Sequence, residues 1–162
     1  MRTDDVLYCD SPYRGSGVDA RYALNRHVAP RVRVLLRDID PLKPALTFGA
    51  LAKWTHGRYA ITADPYVQLG LANQEQGNRA QLVLPIELAL QPTCRWQLAL
   101  STGWNSVLAS VGDGWHVPIA LGVRARATAK LDVGATFGFP TLLGPQNTPK
   151  QRVLFVALGW RQ

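Results

Sequence analysis

In the stretch RAQLVLPIELALQ, Arg79 to Gln91, every second residue from Leu82 to Leu90 is aliphatic, and Gln81, Glu87 and Gln91 stand among the alternate ones. A period of two is that of a β-strand, whose successive side chains point to opposite faces. This segment therefore has one aliphatic face and one mixed face that carries a carboxylate. The fold turns on which solvent each face meets.

The same alternation recurs along the chain. Tyr59, Ile61, Ala63, Pro65, Val67 and Leu69 oppose Arg58, Thr62, Asp64, Tyr66 and Gln68. Trp96, Leu98, Leu100 and Trp104 oppose Arg95, Gln97, Ala99, Ser101 and Gly103, and Trp115, Val117, Ile119, Leu121 and Val123 oppose His116, Gly122, Arg124 and Arg126. Leu131, Val133, Ala135, Phe137 and Phe139 oppose Lys130, Asp132, Gly134, Thr136 and Gly138, and the last segment sets Leu154, Val156, Leu158 and Trp160 on one side. With RVRVLLRD and ALTFGALAKW, which alternate less cleanly, the pattern predicts eight strands between about Arg31 and Trp160. VDARYALN, Val18 to Asn25, makes a ninth if it is equivalent to the other strand ends that run into a short turn and a basic residue.

The connections alternate in length. THG at 55–57, PT at 92–93 and TA at 128–129 are tight reversals, whereas NQEQGN, NSVLASVGDG and PTLLGPQNTPK are longer and rich in Gly, Asn and Pro. Short turns at one end and long loops at the other describe an up-and-down antiparallel meander, and strands of about ten residues can close it into a barrel. Composition agrees: 14 Gly and 11 Pro in 162 residues disfavour long helices, and no apolar run reaches the roughly 18 residues of a membrane helix.

All five tryptophans lie on the aliphatic face, at strand ends. Trp54, Tyr59, Trp96 and Trp160 are expected to form one ring beside the short turns, and Trp104, Trp115 and Phe139 a second ring beside the long loops. Tryptophan favours a membrane interface, where the ring is buried and the N–H stays wet. The opposite face is rich in Gly and Ala between Arg, Gln, Thr and single acids, as a crowded interior would be. On this reading Lys53, Asp64, Glu87, Arg95, Arg124, Arg126 and Asp132 form a charge network in a lumen. Asp64 and Glu87 fall at nearly one level, with Arg124 the cation expected to reach both, and Arg126 and Asp132 can pair across the tight TA turn.

These features make the chain resemble the bacterial outer-membrane β-barrel proteins, as a small complete barrel or the C-terminal portion of a larger one that lacks its N-terminal strands. The resemblance covers 18–162, the barrel domain, and leaves 1–17 as a polar N-terminal segment or loop. It includes the last strand, LFVALGWRQ, whose alternation toward Trp160 looks like the C-terminal signal read by barrel-assembly machinery. It implies a small porin-like, transport or structural barrel in the outer membrane, with that machinery and outer-membrane lipid as partners. Such proteins enter the periplasm with a signal peptide, and MRTDDVLYCDSPYRGSG has none of its regions, so N-terminal truncation is expected. The alternatives are a soluble lipocalin-like barrel with the faces reversed, binding an apolar ligand, and an outer-membrane lipid-modifying enzyme.

Other chemistry finds little support. A net charge of +7 raises nucleic acid as a partner, but phosphate contacts need cations clustered on an outer surface, and none is expected. Ser101 and His116 face the polar side on neighbouring strands without a carboxylate at their level, so they are read as rim and lumen groups, with no catalytic residue assigned. His27 and His56 lie in turns at the end opposite His116, which excludes a three-histidine metal site. No phosphate loop or other cofactor-binding motif is present. Cys94 follows a short turn and Cys9 precedes the descending first segment, so the two are not expected to bond.

Overall fold

A computed structural model of the protein describes residues 16–145 and 147–160. Cys9, nearly all of the polar segment 1–17, and Arg161 and Gln162 lie outside the described residues. The chain is an all-β antiparallel meander of ten strands with almost no helix: β1 (Ser16–Arg21), β2 (Val28–Ile39), β3 (Leu42–His56), β4 (Tyr59–Ala63), β5 (Tyr66–Gly70), β6 (Gln81–Thr93), β7 (Trp96–Val107), β8 (Trp115–Arg126), β9 (Leu131–Leu143) and β10 (Val153–Trp160). They form one sheet in sequence order, with β4 and β5 sharing a position between β3 and β6.

The shared position has a local cause. Proline has no N–H to give to a ladder, and the chain written as one strand in the sequence breaks at Asp64–Pro65. The registers on either side are continuous: Ala63 faces Ile86 and Tyr66 faces Val83. Across the break the Asp64 N–H donates to the Pro85 carbonyl at 3.2 Å, and the Ala50 N–H donates to the Pro65 carbonyl at 3.1 Å. Nine strand positions result, with the strand expected near Val18 present as β1. Because all neighbours are antiparallel, β1 and β10 run the same way.

The connections 22–27, 57–58, 94–95 and 127–130 gather at one end, and 40–41, 71–80, 108–114 and 144–152 at the other. The length alternation holds with one exception, the tight reversal at Asp40–Pro41 on the long-loop end. Two strands also outrun their sequence expectation at that end: β7 continues past Trp104 to Val107 and β9 past Phe139 to Leu143.

The strands are strongly staggered. One row of paired residues starts at Arg21, the end of β1 beside the short turns, and runs through Arg31, Gly49, Tyr66, Val83 and Asn105 to His116, at the long-loop end of β8. A row that crosses from one end of the sheet to the other means tilted strands, the geometry that curling into a barrel requires. Curvature shows directly as well. Glu87 of β6 and Phe155 of β10 line one cleft of about 150 Å³, although four strand spacings on a flat sheet would separate them by roughly 19 Å. The mixed face is thus the concave one. Small residues allow it: a Cβ on Gly138 would stand 2.5 Å from the Ala120 Cβ across the β8–β9 ladder.

Burial is inverted relative to a water-soluble domain. Leu84, Ile86, Leu88, Leu98, Leu121, Leu154, Val156 and Leu158, all on the convex face, are exposed, Ile86 by 40% and Leu158 by 74%. On the concave face Thr47 is 1% and Gln68 7% exposed, and the one fully buried apolar residue among those described is Ala45.

Candidate functional site on the concave face

The concave face carries two polar clusters. The first is built where β1, β2 and β4 approach one another. Register places Asp19 opposite Arg33 and Arg21 opposite Arg31, so the charges of two adjacent strands interleave. The Arg31 guanidinium grips Asp19 side-on with one edge: Nε donates to Oδ1 at 2.9 Å and Nη2 to Oδ2 at 2.6 Å. Its Nη1 donates to Oδ2 of Asp64. Asp64 lies across β3, and the residue that Arg31 faces on β3 is Gly49, whose lack of a side chain leaves the path open. Any Cβ there would sit 2.5 Å from the Pro65 carbonyl and 2.7 Å from the Tyr66 Cβ.

Arg33 Nη2 completes the group 3.8 Å from the same Asp64 oxygen, Arg21 Nη2 reaches Asp19 at 3.1 Å, and the Arg33 guanidinium stands over the Tyr66 ring at 5.4 Å. Three guanidinium groups thus meet two carboxylates. Arg31 is the hub, its side chain only 13% exposed, so its charge is matched by bidentate and charge-assisted bonds rather than by water.

The second cluster lies farther along the sheet. Glu87, Gln97, Ser101, Arg124 and Thr136 line the 150 Å³ cleft with Gly122 and Gly134 between them. Ser101 Oγ donates to Glu87 Oε2 at 3.5 Å. Arg124 faces Gln97 and, among the described residues, forms no ion pair with Glu87.

The expected lumen residues are therefore distributed differently from the single network read in the sequence. Asp64 and Glu87 do share a face on adjacent strands, Glu87 standing opposite Thr62, two residues from Asp64. The cations on Asp64, however, are Arg31 and Arg33 of β2, and Arg124 belongs to the Glu87 cleft. Arg126 faces Asp132 across the β8–β9 ladder, and the Arg126 N–H donates to the Arg95 carbonyl at 2.8 Å. Lys53 is exposed near the end of β3, its carbonyl 2.9 Å from His27 Nδ1. Arg31, Arg33 and Asp19 were missed, although the alternation of RVRV already placed Arg31 and Arg33 on one face. Ser101 and His116 are not brought together: His116 faces Asn105, with Nε2 3.1 Å from its Nδ2, four residues along β7 from Ser101.

The aromatic residues expected as rings at the two ends lie on the convex face. Trp54, Tyr59, Trp96 and Trp160 flank the short turns and are exposed, Trp54 stacking on His56 with ring centres 5.7 Å apart. Trp104, Trp115 and Phe139 are half-buried toward the long loops, Phe139 edge-on to Phe137 at 5.4 Å. Eight residues separate Trp96 from Trp104, about 27 Å along the strand and roughly 20 Å across a sheet tilted by about 40°. Cys94 is a free, exposed thiol in the turn 94–95.

No protein-family model, curated protein or solved structure matches this chain.

Proposed function

We propose that the protein is an outer-membrane β-barrel protein, a small porin-like or structural barrel whose convex face meets lipid and whose concave, Arg-rich face lines the interior. The observation that carries this reading is the inversion of burial: much of the aliphatic face is exposed while Thr47, Gln68 and the Arg31 guanidinium are covered. Water penalises such a surface at about 25 cal/mol per Å², and contiguous apolar patches beyond a few hundred Å² mark a partner or a membrane. A bilayer removes the penalty. The aromatic bands on that face and the tilt of the strands point the same way. The lipocalin-like alternative needs the aliphatic face inward, the reverse of its exposure here.

Refolding the chain from denaturant into lipid vesicles tests the reading. A barrel gains β-structure only with lipid or detergent, becomes protease-resistant except at its loops, and withstands alkaline carbonate extraction. A chain that folds cooperatively in plain buffer as a monomer would overturn the proposal.

A further inference from the structure

The charge along the strand direction is uneven. Each of the four short-turn connections holds one cation: Arg26 in 22–27, Arg58 in 57–58, Arg95 in 94–95 and Lys130 in 127–130. All four are exposed, and none of these connections contains an acid. At the other end Arg37, Lys43, Arg79, Lys150 and Arg152 are offset by Asp38, Asp40, Glu75 and Asp113, with Lys43 Nζ bridging to Asp38 at 3.2 Å. The concave face sets Arg21, Arg31, Arg33, Lys53, Arg124 and Arg126 against Asp19, Asp64, Glu87 and Asp132, a smaller excess. Among the described residues the largest positive surplus, and the one without acids between its cations, therefore sits at the short-turn rim.

That rim is also where the exposed tryptophans stand. Trp54 and Tyr59 flank the turn of Arg58, Trp96 follows Arg95, and Trp160 faces Leu131, next to Lys130. An indole settles at the level of lipid carbonyls, and a long basic side chain just beyond it reaches the phosphates while its stem stays in the apolar region.

We infer that the short-turn end is a docking surface for anionic phospholipid headgroups, with Arg26, Arg58, Arg95 and Lys130 as the phosphate contacts. The inference rests on the membrane-spanning reading above and adds to it a lipid charge and an end. A basic residue near an anionic surface contributes about fivefold in binding at low salt, an attraction that falls off within a Debye length.

The test uses the full chain, in vesicles of phosphatidylcholine alone or with a third of the lipid replaced by phosphatidylglycerol, at low and high salt. Insertion into both, tighter with the anionic lipid and levelled by salt in the unaltered protein, is the expected result. The combined variant Arg26→Gln, Arg58→Gln, Arg95→Gln and Lys130→Gln should lose about tenfold or more of that preference and still insert into phosphatidylcholine. A control with Arg37→Gln, Arg79→Gln, Lys150→Gln and Arg152→Gln should keep it. Equal insertion into the two lipids at low salt, or equal loss in both variants, overturns the inference and leaves the membrane reading standing. Insertion into neither vesicle overturns both. Salt-sensitive retention of a DNA duplex by the lipid-free chain, with no preference between vesicles, would assign the basic rim to nucleic acid instead.

Discussion

Leu88→Arg probes the convex face at its most sensitive point. Leu88 faces Leu100 on β7 and Ile61 on β4, and Leu100 lies midway between Trp96 and Trp104, so a bilayer bounded by those indoles has its midplane there. The native leucine is 41% exposed. If water covered this face, the substitution would forfeit only part of a leucine's burial, about 1 kcal/mol, and the arginine stem would recover some of it. In lipid the guanidinium meets hydrocarbon, and the expected penalty is roughly 2–4 kcal/mol, falling to about 0–1 near the interface. Leu84→Arg, opposite Trp104, should therefore be the milder of the two. Thr62→Arg is the matched control: it lies one residue from Ile61, points to the concave face and stands opposite Glu87. It should be close to neutral. Denaturant titration of the four proteins in vesicles measures the differences. Equal penalties for Leu88→Arg and Thr62→Arg, or a larger one for Leu84→Arg than for Leu88→Arg, would refute the assignment of lipid to the convex face.

Arg31→Ala leaves Asp19 and Asp64 facing each other with only Arg21 and Arg33 as partners, and should destabilise by roughly 2–3 kcal/mol. Adding Asp64→Asn should recover part of that in a double-mutant cycle, and strict additivity would show the group is not coupled. Gly138→Ala should destabilise by about 1–3 kcal/mol, because its Cβ would stand 2.5 Å from the Ala120 Cβ, 2.8 Å from the Ile119 carbonyl and 2.9 Å from the Ala120 Cα; adding Ala120→Gly should recover only part of the loss, since both backbone approaches remain, and full recovery in denaturant titration would place all of the strain on the Ala120 methyl. In a Cys9→Ser background, a membrane-impermeant maleimide should reach Cys94 and an introduced Gly112→Cys from opposite sides of a sealed vesicle; labelling of both from one side contradicts a spanning sheet. In planar bilayers, an open interior should conduct with anion preference that Arg124→Ala weakens, whereas a filled interior gives no parent conductance; a conducting protein with unchanged selectivity removes Arg124 from the pathway.

The alternation of side chains was legible residue by residue because it is a local property: a strand's period of two follows from backbone geometry alone. The two faces, the grouping of short and long connections and the position of the aromatic residues follow from that period and from turn composition, whereas the eight to nine strands read from it become ten because the segment 59–70 divides into β4 and β5. Even the break at Pro65 is local, a missing N–H, though only pairing with β3 and β6 reveals that both halves keep one register.

The partners of the charges were not legible, for a different reason. Which carboxylate meets which guanidinium depends on stagger accumulated over several hairpins, including the irregularities between Leu36 and Ile39, Leu90 and Thr93, and Val117 and Ile119. Counting inward from one loop, as the sequence permits, puts Asp64 beside Glu87 and leaves both to Arg124. The tilted sheet instead carries Arg31 across Gly49 to Asp64, and its curvature brings Arg124 into a cleft with Glu87. Pattern within a strand is decided by the chain; alignment between strands is decided by the whole sheet, since each added residue in a turn or bulge displaces every contact beyond it.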